Sequence, residues 1–155
     1  MSSSAVAFIS LGSNMGEREH YIQQALLEIS MHPEMKIIAT SETIFTEPLE
    51  VTNQPWFFNC ITKIRTSLPP LDLLYSLQGM EEKIGRIRRF DKGPREIDLD
   101  ILAYADTIMN SDDLQLPHHS LFSRPFIRQL LVAMDEENLY NYFKESGYEK
   151  YHQPL

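Results

Sequence analysis

The chain reads as an α+β domain, an antiparallel sheet with two helices on one face. Two patterns carry that reading. Residues 56–66 and 96–104 alternate apolar and polar side chains at period two, as half-buried strands do. Residues 17–31 and 69–84 space their apolar side chains as amphipathic helices do. At 155 residues, with 43% hydrophobic and 23% charged residues, the composition is that of one globular domain with a substantial core.

In chain order, Ala5 to Leu11 is a short apolar run ended by Gly12-Ser13-Asn14, a buried strand and a turn. The helix that follows carries Ile22, Ala25, Leu26 and Ile29 inward. Gly12-Ser-Asn-Met-Gly16 lacks the Gly-Lys-Ser/Thr ending of a phosphate loop, so a plain strand-to-helix turn is the better reading. Residues 36–47, rich in Ile and Thr, make one strand. In the strand over 56–66, Phe58, Cys60, Thr62 and Ile64 share a face opposite Phe57, Asn59 and Ile61. An aromatic beside an amide suits a flat heteroaromatic ring, but a half-buried strand with a satisfied Asn is the better reading of this pair alone. Pro69-Pro70 opens the second helix, whose stripe is Leu74, Leu77, Met80 and Ile84, with Glu81 and Gln78 at its edge. The last strand sets Ile97, Leu99, Ile101 and Ala103 against Asp98, Asp100, Leu102 and Tyr104. Residues 106–113 suggest a hairpin, residues 127–134 a helix, and residues from about 136 onward a peripheral tail of a single catalytic domain, 1–155. The order is strand, helix, strand, strand, helix, strand, then extra C-terminal helices: a ferredoxin-like βαββαβ arrangement with one sheet face left open.

The chemistry concentrates between Gly85 and Asp100. Residues 86–95 hold five cations (Arg86, Arg88, Arg89, Lys92, Arg95) against Asp91, a local +4 in a chain of −8, so the remainder carries −12. That acidic balance argues against general nucleic-acid binding. No apolar run approaches membrane-spanning length, the start does not resemble a signal peptide, and the lone Cys60 excludes an internal disulfide. A cytoplasmic protein acting on small molecules is the expectation. Asp98 and Asp100, on one strand face with Cα atoms roughly 6.5 Å apart, suit a pair of Mg²⁺ ions and displacement at phosphorus. Arginines offer a bidentate fork to phosphate. Gly93-Pro94 turns Arg95 back beside the aspartates, while Arg89 and Lys92 read as solvated loop charges. His118 and His119 suit nucleotide contacts better than Mg²⁺, which prefers oxygen.

Several ordered blocks resemble one family, 6-hydroxymethyl-7,8-dihydropterin pyrophosphokinase. They are Leu11-Gly-Ser-Asn14, Thr46-Glu-Pro48, Gln54-Pro55 with Phe57-Phe58-Asn59, Gly85-Arg-Ile-Arg88, Gly93-Pro-Arg-Glu-Ile-Asp-Leu-Asp100, Pro117-His118 and Arg124-Pro-Phe126. The resemblance implies pyrophosphate transfer from ATP to the pterin's hydroxymethyl oxygen, with release of AMP, in folate biosynthesis. It implies Asp98 and Asp100 as holders of two Mg²⁺ and Arg86 and Arg95 as catalytic cations. Gln78, Glu81, Arg88, Ile101, His118 and Arg124 would meet ATP. The pterin would lie between Phe57 and Phe126, its edge read by Asn59 and by Thr46, Pro48 and Leu49. A monomer is expected. Glu50, Lys92, Asp113 and the run after Phe126 depart from the family pattern, and none touches the aspartates or catalytic arginines. Two rivals share parts of this equipment. A polymerase-palm or cyclase-type enzyme leaves Phe57-Asn59 unexplained, and a single-stranded RNA binder conflicts with the charge.

Overall fold

The computed structural model describes residues 3–48, 51–87, 89–90 and 93–147. Its centre is β1 (Ala5–Ser13), flanked antiparallel by β4 (Phe57–Thr66) and β5 (Asp98–Tyr104). β2 (Met35–Thr40) lies outside β4, giving the order β2-β4-β1-β5, with β3 (Ile44–Thr46) also paired to β4. α1 (Arg18–Met31) and α2 (Pro70–Ile84) cover one face. This is the expected βαββαβ order.

The helix-side core joins Ile22, Ala25 and Ile29 of α1 and Leu73, Leu77 and Met80 of α2 to Ile9, Leu11, Cys60 and Ile64 of the sheet. Each fully buried Ile or Leu among them contributes ~1.5–3 kcal/mol. The inward stripe of α2 is rotated slightly from the expected one: Leu73 is fully buried and Leu74 only in part. Burial of Cys60 also pushes its thiol up to about 12, so it behaves as a small apolar side chain.

Three expectations are corrected. The single strand over 36–47 is two, β2 and β3. Its register slips between Ile37 and Ala39. Ser41 then meets Ile61 twice, donating N–H to its carbonyl at 2.8 Å and accepting its N–H on Oγ at 2.8 Å. A side chain thus replaces a ladder partner and interrupts the strand. Second, the clean alternation of β5 fails at a bulge. Ile9 pairs Ile101 but Phe8 pairs Ala103, leaving Leu102 as the extra residue. Ala103 therefore packs in the second core and Tyr104 against the first, the reverse of the expected faces. Third, the other sheet face is not left open along its length. A hairpin, β6 (Met109–Asn110) with β7 (Gln115–Leu116), precedes three helices, α3 (Ser120–Ser123), α4 (Pro125–Ala133) and α5 (Glu137–Glu145). They bury Phe8, Ile61, Leu102 and Ala103 under Leu121, Ile127, Leu130, Leu131 and Phe143. Phe143 is fully buried, so α5 belongs to a core and is no peripheral tail.

Candidate active site

What those helices leave uncovered is the other end of the same face, where β4, β1 and β5 place Asn59, Gly12 and Asp98 in one cross-strand row. Gly12 is the floor of that row. A Cβ there would fall 2.8 Å from Asn59 Oδ1 and 3.6 Å from the Phe57 ring. Asn59 is buried and donates to Thr46 Oγ1 at 2.5 Å, which fixes its amide. Phe57 is buried beneath the Arg95 guanidinium, 4.6 Å from its ring centroid. Pro48 is buried nearby in sequence at the end of β3. Phe126 packs against the second core, and among the described residues no ring contact joins it to Phe57. Leu49 and Arg88, with Glu50 and Lys92, lie outside the described residues.

On β5, Asp98 and Asp100 share a hydrogen bond between their carboxyls. Burial acts to raise Asp98, but Arg95 and Arg86 outweigh it and hold its carboxyl below the usual carboxylate range. Asp100, raised by burial and by the charge and hydrogen bond of Asp98, goes well above that range. Both feel the charge of Arg124. Arg86 Nη1 donates to Asp98 Oδ1 at 3.1 Å and to Glu81 Oε2 at 2.8 Å. Arg95 Nε, buried and without a hydrogen bond, faces Asp98 Oδ2 at 3.5 Å.

The position of Arg86 follows from the end of α2. Gly85, at φ 114°, stops the helix, with its N–H on the carbonyls of Glu81 and Glu82. The Arg86 N–H then returns to the Glu81 carbonyl at 3.0 Å. The Glu81 side chain does not reach solvent. It accepts Leu99 N–H at 2.8 Å, beside both aspartates, and burial, with Asp98 adding to it, raises its carboxyl to about 7 despite that bond and Arg86. Gln78, Glu81, Arg86 and Arg95 line one cleft of about 640 Å³ with Ile87, Pro94 and Arg89.

Arg89 is not a solvated loop charge. Its Nη1 and Nη2 grip Glu96 at 3.0 and 2.7 Å. Those bonds, with one from Ile87 N–H, draw Glu96 down to about 2 against the effect of burial. His118 Nε2 lies 3.9 Å from Asp100 Oδ1. Its Nδ1 accepts Ser120 N–H at 3.1 Å, which leaves the ring proton of the neutral form on Nε2, toward the aspartates. The His118 and His119 rings lie 4.4 Å apart, tilted by 30°. Ile101 is the least direct of the expected nucleotide residues: its side chain is in the helix-side core, leaving its main chain for any contact.

Sequence reasoning missed two members. Gly12 reads in the sequence as turn material but lies inside β1. Asn14, also buried, accepts Arg95 N–H at 2.9 Å on Oδ1 and donates through Nδ2 to Gln54 Oε1 at 2.8 Å and to the Pro55 carbonyl at 3.0 Å. Its only sequence signal was its place in Leu11-Gly-Ser-Asn14.

An all-oxygen carboxylate pair suits a hard divalent cation, whose charge would offset the burial and the repulsion from Asp98 that together raise Asp100. Among the described residues no group of three metal-ligating side chains occurs, so further oxygens would have to come from ligand or water. Arginines and aspartates meeting at one end of a cleft, with an aromatic and a fixed amide across the row, can hold a polyphosphate against an acceptor bearing a flat ring.

Residues 8–136 match the family described as 7,8-dihydro-6-hydroxymethylpterin-pyrophosphokinase. The chain is 41% identical over 125 residues to the folic acid synthesis protein fol1 of Pneumocystis carinii, covering 81% of itself and 17% of that protein. It is 38% identical over 120 residues to the 2-amino-4-hydroxy-6-hydroxymethyldihydropteridine pyrophosphokinase of Pseudomonas aeruginosa, covering 77% and 74%. It is 36% identical over 132 residues to the Bacillus subtilis protein of that name, covering 85% and 79%. The chain thus spans under a fifth of the fol1 relatives but about three quarters of the bacterial ones. Its fold is similar to that of Plasmodium falciparum HPPK-DHPS, with TM-score 0.66 at 15% identity over 83% of this chain and 40% of that one.

Proposed function

The chain belongs to the 7,8-dihydro-6-hydroxymethylpterin-pyrophosphokinase family, and on that footing we propose that it transfers pyrophosphate from ATP to 6-hydroxymethyl-7,8-dihydropterin. The hydroxymethyl oxygen forms a bond to the β-phosphorus as the bridge between α- and β-phosphates breaks. AMP leaves, the hydroxyl proton is released, and the pterin diphosphate remains.

One observation carries the reading: Asn59, Gly12 and Asp98 in a single row, with Arg86 and Arg95 converging on its acidic end. The amide and Phe57 would supply edge and face recognition for the pterin, and by the family resemblance Thr46, Pro48, Leu49 and Phe126 would complete its pocket. Arg86 and Arg95 stabilise charge developing on the transferred group. Gln78, Glu81, Arg88, His118, Arg124 and the main chain of Ile101 hold the nucleotide, His118 by donating from Nε2. Asp98 and Asp100 hold two Mg²⁺. Such ions, when bound, neutralise phosphate charge and bring attacking and leaving oxygens into line. A monomer acting on small molecules in the cytoplasm accords with the acidic balance and the single buried cysteine.

The test is AMP formation with ATP, Mg²⁺ and the hydroxymethylpterin, each omitted in turn. AMP is expected only with all three, and Asp98→Ala or Asp100→Ala should abolish it. AMP release that ignores the pterin, or near-normal turnover in either variant, overturns the reading.

A further inference from the structure

The two arginines that meet Asp98 stand at opposite ends of a nine-step detour of the chain, Arg86 at its entrance and Arg95 at its exit. Nothing in their own side-chain contacts holds those ends together except the shared aspartate, where the charge of an incoming polyphosphate would compete for them. The residues immediately inside and outside the two ends do. Ile87, next after Arg86, donates its N–H to Glu96 Oε1 at 3.1 Å, and Glu96 is next after Arg95. Arg89 closes the same carboxylate with a two-pronged grip. Its Nη1 also reaches the carbonyls of Ile87 at 3.3 Å and Pro94 at 3.4 Å, one from each side of the neck. Arg95 Nη1 donates to the Gly93 carbonyl at 2.6 Å, completing the exit.

We propose that Arg89 and Glu96 are a positioning pair, a neck clamp that holds Arg86 and Arg95 at one fixed separation for pyrophosphoryl transfer. This rests on the function proposed above. Arg89 is a cation of the arginine-rich segment that is not spent on phosphate. Its guanidinium is planar and bidentate on a carboxylate only 9% exposed, the arrangement in which Arg cannot be replaced by a point charge. The pair has a second consequence. Glu96 is a buried acid next to Arg95 in the chain and two residues from Asp98, so its charge stands close to where polyphosphate charge would accumulate. With Arg89 on it the local charge is cancelled, and without Arg89 it opposes the substrate.

That asymmetry separates a clamp from a phosphate ligand. The experiment compares Arg89→Ala, Glu96→Gln and the double variant for kcat, for KM of ATP and of the pterin, and for thermal unfolding, with exchange of the Ile87 amide as a readout independent of turnover. As a clamp, Arg89→Ala lowers kcat on the order of 10²-fold, the scale of a displacement of about 1 Å at reacting groups. Glu96→Gln lowers it less, and both leave the KM for the pterin unchanged. The double variant is more active than Arg89→Ala, because no uncompensated acid remains, and the Ile87 amide exchanges faster in all three. Glu96→Gln at wild-type kcat, or a double variant no better than Arg89→Ala, overturns the clamp and makes Arg89 a direct phosphate contact. Unchanged Ile87 exchange in Glu96→Gln overturns it on structural grounds alone. A wild-type protein that forms no AMP defeats the proposed reaction instead, and leaves the amide readout to judge the clamp.

Discussion

At the scale of single residues, the side chain that matters most to the acceptor end is one that does not exist. Gly12 has room for Asn59 only because it lacks a Cβ, which would stand 2.8 Å from Oδ1 on a strand that cannot yield. Gly12→Ala is therefore expected to push the amide off Thr46 Oγ1 and weaken pterin binding at least about tenfold, the cost of one good hydrogen bond to a buried group. ATP binding should be unchanged. Titration calorimetry with each substrate checks it. This residue shows why part of the site escapes a sequence reading. Asp98, Asp100, Arg86 and Arg95 were legible because charge is countable and β-alternation puts both acids on one face. Gly12 and Asn14 carry no such signature: their roles come from strands and loops about 40 to 80 residues away. The pairing of Arg89 was hidden for the same reason, since a cation in a cationic run looks solvated until its carboxylate is located.

At the scale of elements, lengths and order followed from periodicity, and interruptions did not. The break between β2 and β3 depends on Ser41 meeting Ile61, and the face switch in β5 depends on one extra residue opposite β1. Both are pairing events between strands, which a period within one strand cannot report. The end of α2 was better marked, because a glycine followed by a charged run is a stop signal. Gly85 holds φ 114°, where any Cβ is strained. Gly85→Ala should cost about 1–2 kcal/mol, seen as a lower denaturation midpoint. It should also slow turnover, since Arg86 is placed by the same helix end. An Asn at this position should recover part of both losses.

At the scale of the molecule, one sheet serves two cores. α1 and α2 cover its first face, and α3 to α5 cover part of the second, which leaves the site at the other end of that face. Helices at the C-terminal end are expected from the sequence, but their burial against the sheet is not, since short segments after prolines give weak periodic signals and Phe143 reads as peripheral. Being fully buried, it should not behave like tail: Phe143→Ala is expected to destabilise the domain by about 3–5 kcal/mol, read by chemical denaturation. Since both cores share β1, β4 and β5, loss should appear as one cooperative transition at lower denaturant, not as a separate early step.

The row through Asn59, Gly12 and Asp98 has a further meaning. Its spacing is set by two interstrand distances, roughly 10 Å in all, and hydrogen-bonded backbone does not stretch. In the proposed reaction, the part of the site that would read an acceptor's edge and the part that would handle phosphate are thus marks on a rigid ruler. Such a device selects by length as well as by shape. A pterin whose hydroxyl sits on a two-carbon arm keeps every edge contact and overshoots the mark. It is expected to bind within a few-fold of the one-carbon substrate yet turn over on the order of 10²-fold more slowly, a separation of affinity from rate that steady-state kinetics with the two alcohols would measure.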